Sequence, residues 1–295
     1  MEKKSRLTDL SYIRELLSGE DTGAKKRFGQ NFLINEAIPR RIAYEGCEEN
    51  SAVLEIGPGL GTLTVELASR AKKVVAVEID PDMVSILETT LAGCDNVKVI
   101  RGDILKCDLS ALIKEEFAGY EDIRVCANLP YYVTTPVLMF LLESGIAFKS
   151  ITVMVQKEVA DRLTAEAGSA EYGAITASIA YHGRAEKLFS VAAGNFFPAP
   201  KVESCVLRIN CYDEPPYKVA DEATLFRCIK AAFALRRKTL ANALSSEFAY
   251  LDKAAATDVI VRSGLASDVR GEKLSISQFA ILSDNVFETR KNSKK

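Results

Sequence analysis

The residues best placed to do chemistry are Asn128-Leu129-Pro130-Tyr131, with Tyr132 behind them. They follow a short apolar run, Arg124-Val125-Cys126-Ala127, that reads as a buried strand ending in a proline turn. The Asn128 side-chain oxygen and the Leu129 carbonyl can both accept hydrogen bonds from one exocyclic amino group. Tyr131 can lay its ring on the face of the base that carries that amine. Pro130 fixes its own φ and brings no N–H, so it stiffens the turn without adding a donor. Taken alone, these four residues are equally well read as a strand-to-loop turn with a surface tyrosine.

A second set of candidates precedes this turn. Gly57-Pro58-Gly59-Leu60-Gly61 ends a short apolar run at Val53–Ile56, and its spacing is G-x-G-x-G, not the G-x-G-x-x-G of dinucleotide enzymes. Glycines let backbone approach a ligand closely. Glu78 lies about 20 residues further on, the spacing at which a carboxylate grips ribose hydroxyls. Asp103, after Gly102, can accept from an adenine amino group. Either acid taken alone is better read as a cap on the segment that follows. The ordered set describes a nucleoside cofactor beside an amine-bearing base.

Positioning these groups requires alternating strands and helices. Strands are expected at 53–57, 74–77, 97–100, 124–126 and 151–155, with helices between them, one opened by Pro81 at a position that proline favours. That alternation predicts a doubly wound α/β domain with a mainly parallel sheet. Gly57, Glu78, Asp103 and Asn128 then fall at carboxyl ends of strands, where such sheets bind ligands. Residues 158–180 read as helical with a break at 168–173, and two more strands are expected at 188–191 and 205–209. Residues 211–216 read as a linker, followed by three to five helices over 217–295, one of them a basic helix around Phe233–Leu244. The expected organisation is an N-terminal arm (1–24, one weakly amphipathic helix), a catalytic domain (25–211) and a helical domain with a basic tail (212–295).

With 295 residues, 48% hydrophobic and 26% charged, the chain has ordinary globular composition and length for two domains. No apolar run approaches a membrane span, and the Lys-rich start lacks the apolar core of a signal peptide, so a soluble cytoplasmic protein is expected. The seven cysteines form no C-x-x-C pair and read as reduced thiols, with no metal site. His182 is the sole histidine and reads as structural. A net charge of −2 does not advertise nucleic-acid binding. Positive charge nevertheless clusters at Lys25-Lys26-Arg27, at Arg236-Arg237-Lys238 and in the tail from Arg290, consistent with a basic footprint or with solvated faces.

Taken together, the motifs F-G-Q-N-F-L (28–33), L-E-I-G-P-G-L-G-T-L-T (54–64), V-E-I-D (77–80), G-D (102–103), N-L-P-Y (128–131), Y-G (172–173), F-F-P-A-P-K-V-E-S (196–204), R-R-K-T-L-A-N-A-L (236–244) and R-G-E-K-L-S (270–275) cover most of the chain. The sequence resembles ribosomal small-subunit RNA adenine dimethyltransferases of the KsgA type. That resemblance implies a Rossmann-like class I methyltransferase domain plus a small helical domain, using S-adenosylmethionine. It implies cofactor contacts from Asn31, Leu33, Gly57, Gly59, Glu78, Asp103 and Asn128. The target adenine would fall to Asn128, Leu129 and Tyr131, with Phe196 stacking opposite. RNA contacts would come from Lys25, Arg27, Lys201, Arg236, Arg237 and Lys238. The implied product is N6,N6-dimethyladenosine at two adjacent adenosines in a 3′-terminal hairpin of 16S RNA, made by a monomer acting on the 30S subunit or its precursor, with a role in subunit biogenesis. The family's usual basic balance is missing here. The alternatives are a resistance-type 23S RNA dimethyltransferase, a non-catalytic assembly factor on the same fold, and a nicotinamide oxidoreductase, which the glycine spacing disfavours.

Overall fold

The computed structural model describes residues 6–18 and 30–292. The strands are β1 (Phe32–Leu33), β2 (Ala52–Ile56), β3 (Lys73–Glu78), β4 (Val97–Arg101), β5 (Ile123–Asn128), β6 (Ser150–Gln156), β7 (Gly183–Val191), β8 (Phe196–Phe197) and β9 (Ser204–Cys211). The helices are α1 (Leu10–Ser18), α2 (Ala37–Gly46), α3 (Thr64–Ala68), α4 (Pro81–Thr90), α5 (Leu109–Glu116), α6 (Thr134–Leu142), α7 (Lys157–Leu163), α8 (Ala174–His182), α9 (Glu222–Ala234), α10 (Leu240–Glu247), α11 (Lys253–Arg262) and α12 (Ile276–Asn292).

The chain divides into two compact units. One runs up to Ala160 and takes in Glu186–Asp213; the other joins Asp161–Ala185 to the chain from Glu214 onward. The sequence placed the division at 211/212. Residues 161–185 fall on the helical side because their apolar groups are buried there: Tyr172, Ala177 and Tyr181 share a core with Leu225, Ile229, Leu240, Leu244 and Phe279.

The first unit is built on a seven-stranded sheet of order β4-β3-β2-β5-β6-β9-β7. The first five strands are mutually parallel, and β9 runs antiparallel to β6. The inner strands are mostly apolar, as strands of a parallel sheet covered on both faces are; β2 is buried along its whole length. The parallel registers bring Ile56 level with Val77 and Ala127, and Glu78 level with Arg101. Chain order reverses on either side of β2, so the turn after Ile56 sits where such folds open a crevice. Helix starts are set locally: Asp80 accepts from the Asp82 N–H ahead of Pro81 in α4, and Asp108 accepts from the Ala111 N–H at the start of α5.

Helix α1, read from sequence as a peripheral arm, is packed in. Ile13 and Leu17 are buried with Phe32, Leu60, Met83 and Ile86, and Leu7 with Val65, Leu87 and Leu91. The short β1–β8 ladder, Phe32 opposite Phe197 and Leu33 opposite Phe196, has no local signal in either segment. In the second unit α9–α12 surround one apolar core. The expected basic helix at 233–244 is two helices: α9 ends at Ala234, α10 starts at Leu240, and Arg236, Arg237 and Lys238 lie on the turn between them. Leu235 leaves the helical region at φ −116°, ψ 46°, and the Lys238 N–H closes the turn on its carbonyl at 2.8 Å.

Candidate active site

A crevice opens at the carboxyl edge of the sheet in the first unit. Its walls include Asn31, Leu33, Gly57, Gly59, Glu78, Asp103, Asn128, Leu129, Tyr131 and Phe196. Every residue that the resemblance assigned to cofactor or target base is thus brought to one place.

The glycine loop forms the floor. Gly57 has a φ of 68°, and no atom lies within 4 Å of where its Cβ would stand, so the crevice reaches the backbone itself. Gly61 (φ 84°) approaches α4 so closely that a Cβ would lie 3.1 Å from the Leu87 and Leu91 side chains. Glu78 is buried and fastened to this loop: Oε2 accepts from the Gly59 N–H at 3.0 Å and Oε1 from the Asp80 N–H at 2.9 Å. Burial pushes its carboxyl above the ordinary range, against those two N–H bonds. Asp103 follows β4 and is partly committed as a cap, with Oδ1 accepting from the Leu105 N–H at 3.1 Å and Oδ2 3.5 Å from Lys106 Nζ. Both carboxylates thus make backbone bonds while standing in the crevice wall.

Asn128 ends β5, half-buried, and its side chain has no hydrogen bond to any described residue. Leu129 is buried, and Pro130–Val133 closes as a turn through a Val133 N–H to Pro130 carbonyl bond of 3.1 Å. Tyr131 lines the crevice with its hydroxyl 2.8 Å from Ser204 Oγ. Phe196, on β8, is only 3% exposed and belongs to a core cluster with Leu33, Val53 and Val206; the little surface it keeps lines the crevice.

Among the crevice residues that sequence reasoning did not single out, Ile79, Leu105 and Glu55 stand out. Ile79 and Leu105 are large apolar side chains left 49% and 37% exposed, flanking the two acids and offering apolar walls to a flat ring. Each follows a strand-end motif, where an apolar residue gives no distinguishing signal. Glu55 lies inside β2, 1% exposed, and its Oε2 has no hydrogen-bond partner among the described residues. Burial above all, with a smaller contribution from the nearby Glu78, pushes its carboxyl up to about 8. Its signal was available: a lone carboxylate in an otherwise apolar strand.

The basic candidates are scattered. Lys25 and Arg27 lie outside the described residues. Lys201 is exposed on the loop between β8 and β9. Arg236 is engaged within the helical unit, donating to Glu272 Oε2 and to the Ala170 carbonyl, both at 2.7 Å. Arg237 and Lys238 are exposed and have no partner among the described residues. His182, in the helical unit, stacks on Phe226 at 5.5 Å, and burial lowers its pKa.

A deep glycine floor, a loop-anchored glutamate, an aspartate on the next strand and apolar walls fit an adenosine-bearing group. The Rossmann-like sheet and this crevice define a methyltransferase of the nucleoside-cofactor class. The sequence profile described as "Ribosomal RNA adenine dimethylase" matches residues 22–286. "Ribosomal RNA small subunit methyltransferase A" of Shouchella clausii (strain KSM-K16) is 46% identical over 267 residues, covering 90% of each chain. The protein of the same name from Bacillus licheniformis is 44% identical, covering 93% of this chain and 95% of its own. Among solved structures, a dimethyladenosine transferase from Plasmodium falciparum superposes with a TM-score of 0.71 at 25% identity, covering 88% of this chain and 97% of that one. The 23S rRNA methyltransferase ErmE gives 0.65 at 24% identity over 87% and 100%, a likeness of fold alone. The chain belongs to the ribosomal RNA adenine dimethylase family and is an S-adenosylmethionine-dependent rRNA adenine dimethyltransferase. Among the described residues, no helix is long and apolar enough to cross a membrane.

Proposed function

We propose that the chain dimethylates N6 of two adjacent adenosines in a 3′-terminal hairpin of 16S ribosomal RNA, working as a cytoplasmic monomer on the 30S subunit or its precursor. The small-subunit name of the relatives supports this substrate over large-subunit RNA. On this reading the modification accompanies subunit biogenesis. The observation that carries the site assignment is the free amide of Asn128 at the strand end, next to the ring of Tyr131 in the same crevice.

When bound, S-adenosylmethionine supplies an electrophilic methyl on a sulfonium; Gly57, Gly59, Glu78 and Asp103 would hold it, with Asn31 and Leu33 on the facing wall. The adenine amine is a poor nucleophile because its lone pair is delocalised into the ring. Asn128 Oδ1 and the Leu129 carbonyl accept hydrogen bonds from its N–H groups and favour a pyramidal nitrogen. They also stabilise positive charge as it develops there, so catalysis is positioning plus preorganised electrostatics. The product proton can leave to water, and no histidine is needed. The base must leave its stack to enter the crevice. Tyr131 on one face recovers about 1–3 kcal/mol of stacking, and Phe196 closes the other side. Arg237, Lys238 and Lys201 are free to meet phosphates, which position RNA without reading its sequence.

The test incubates the protein with methyl-labelled cofactor and undermethylated small subunits, then maps the labelled nucleotides. Dimethyladenosine at two neighbouring positions near the 3′ end of the small-subunit RNA is expected. Label confined to large-subunit RNA would favour the resistance-type reading instead. Binding without label would favour the non-catalytic one.

A further inference from the structure

We infer that Ser204 is a positioning residue for methyl transfer, its hydroxyl fixing the ring of Tyr131 where a stacked adenine needs it; this rests on the reading of Tyr131 given above. The two oxygens are 2.8 Å apart across 73 residues of sequence. Ser204 is the first residue of β9 and has no exposed surface. Its backbone is held by the antiparallel register that sets it opposite Gln156. The residues just beyond these two strand ends add a second clamp. The Lys157 N–H donates to the Glu203 carbonyl at 3.0 Å, and Lys157 Nζ lies 2.9 Å from Glu203 Oε2. The serine hydroxyl is therefore a fixed point built into the sheet.

Tyr131 has no such support of its own, since it sits on the turn closed by Val133. A tyrosine ring swings about its Cα–Cβ bond, and its oxygen is the atom that travels furthest in that swing. Holding the oxygen is thus the most economical way to hold the ring plane. The bond has a second effect: it directs the phenol away from the target, so the crevice is offered the ring face and not a competing donor to the Asn128 oxygen. Removing one partner leaves the other hydroxyl without its bond in a part-buried place, so the ring is released as well as unpaired. Misplacing a reacting group by about 1 Å can cost on the order of a hundredfold in rate, and a ring that still visits its position should cost less.

The experiment measures single-turnover methyl transfer and steady-state kcat and KM on small subunits for Ser204→Ala, Ser204→Thr, Tyr131→Phe, Tyr131→Ala and the Ser204→Ala/Tyr131→Phe double variant, with thermal unfolding alongside. Ser204→Ala and Tyr131→Phe should each lower kcat about tenfold with KM within about twofold of wild type, the pattern of an interaction that matters in the transition state. Ser204→Thr, which keeps the hydroxyl, should retain most of the rate. The double variant should be no slower than the worse single one, because both remove the same bond. Wild-type kcat in Tyr131→Phe, or losses that multiply in the double variant, would overturn the inference, and Tyr131→Phe decides even if Ser204→Ala fails to fold. If Tyr131→Ala also transfers at the wild-type rate, the assignment of Tyr131 to the target pocket fails with it. A dead Tyr131→Ala beside an unaffected Tyr131→Phe removes Ser204 alone.

Discussion

The two units differ in where they leave polar groups open. Around the crevice of the sheet unit, two polar groups stay open beside bonded ones: the Asn128 amide and Glu55 Oε2 have no hydrogen-bond partner among the described residues. In the helical unit most such groups are spent on holding loops. The Tyr172 hydroxyl donates to the Leu274 carbonyl, the Tyr181 hydroxyl to Glu222, and Arg236 to the Ala170 carbonyl and Glu272. His182 Nε2 and Ser169 Oγ are the exceptions there. An unmade hydrogen bond inside a protein carries a desolvation cost of about 1–3 kcal/mol. A polar group left open in the crevice wall therefore marks a place where a ligand can complete the bonding, while the bonds on Glu78, Asp103 and Tyr131 set where those side chains stand in it. Arg236 shows the difference within one cluster, since its neighbours Arg237 and Lys238 are open and it is not.

The contrast makes its largest prediction at Asn128. Asn128→Ala removes one of the two acceptors for the target amine and leaves the turn at Pro130 in place. Single-turnover transfer at saturating cofactor and subunits should fall by about a hundredfold or more. Circular dichroism and subunit binding should stay close to wild type, because phosphate contacts supply much of the affinity. A folded variant transferring both methyl groups at the wild-type rate would break the comparison at its centre.

Glu55 sharpens it through pH. With its folded carboxyl raised to about 8 from an ordinary 4.5, the native state keeps a proton that the unfolded chain has lost. Its contribution to stability is then full below about pH 4.5 and is lost as pH rises towards 8, with a slope of at most about 1.4 kcal/mol per pH unit. Glu55→Gln, which cannot ionise, should flatten that part of the profile and raise stability at pH 8 by up to a few kcal/mol. Denaturant unfolding at pH 5, 6.5 and 8 measures this. Parallel profiles for the two proteins would show that Glu55 is ionised in the native state.

A smaller effect is expected on the architectural side. A Cβ on Gly271 would stand 2.3 Å from the Ala232 Cβ and 2.9 Å from its Cα, so Gly271→Ala must push the segment off α9. The overpacking should cost about 1–3 kcal/mol in denaturant unfolding. Calorimetric affinity for S-adenosylmethionine should not change, since every crevice residue belongs to the other unit. A loss of cofactor affinity in folded protein would show that the two units do not divide their tasks in this way.

The sequence by itself determined the short-range features. Apolar runs ending in Gly57, at Glu78, before Gly102 and at Asn128 announced four strand ends, because strand periodicity and turn residues are local properties of the chain. The ordered spacing of those ends was enough to name a nucleoside crevice and an amine acceptor. Strand order and burial belong to the tertiary structure. Nothing local says that β2 lies between β3 and β5, or that α1 is buried against Met83 and Ile86. Nothing local draws residues 161–185 into the helical core, or sets β9 beside β6 so that Ser204 meets Tyr131. These follow from burying whole sheet and helix faces at once, a balance struck between residues far apart in sequence. For the same reason the apolar walls at Ile79 and Leu105 could be recognised only once folding had left them exposed.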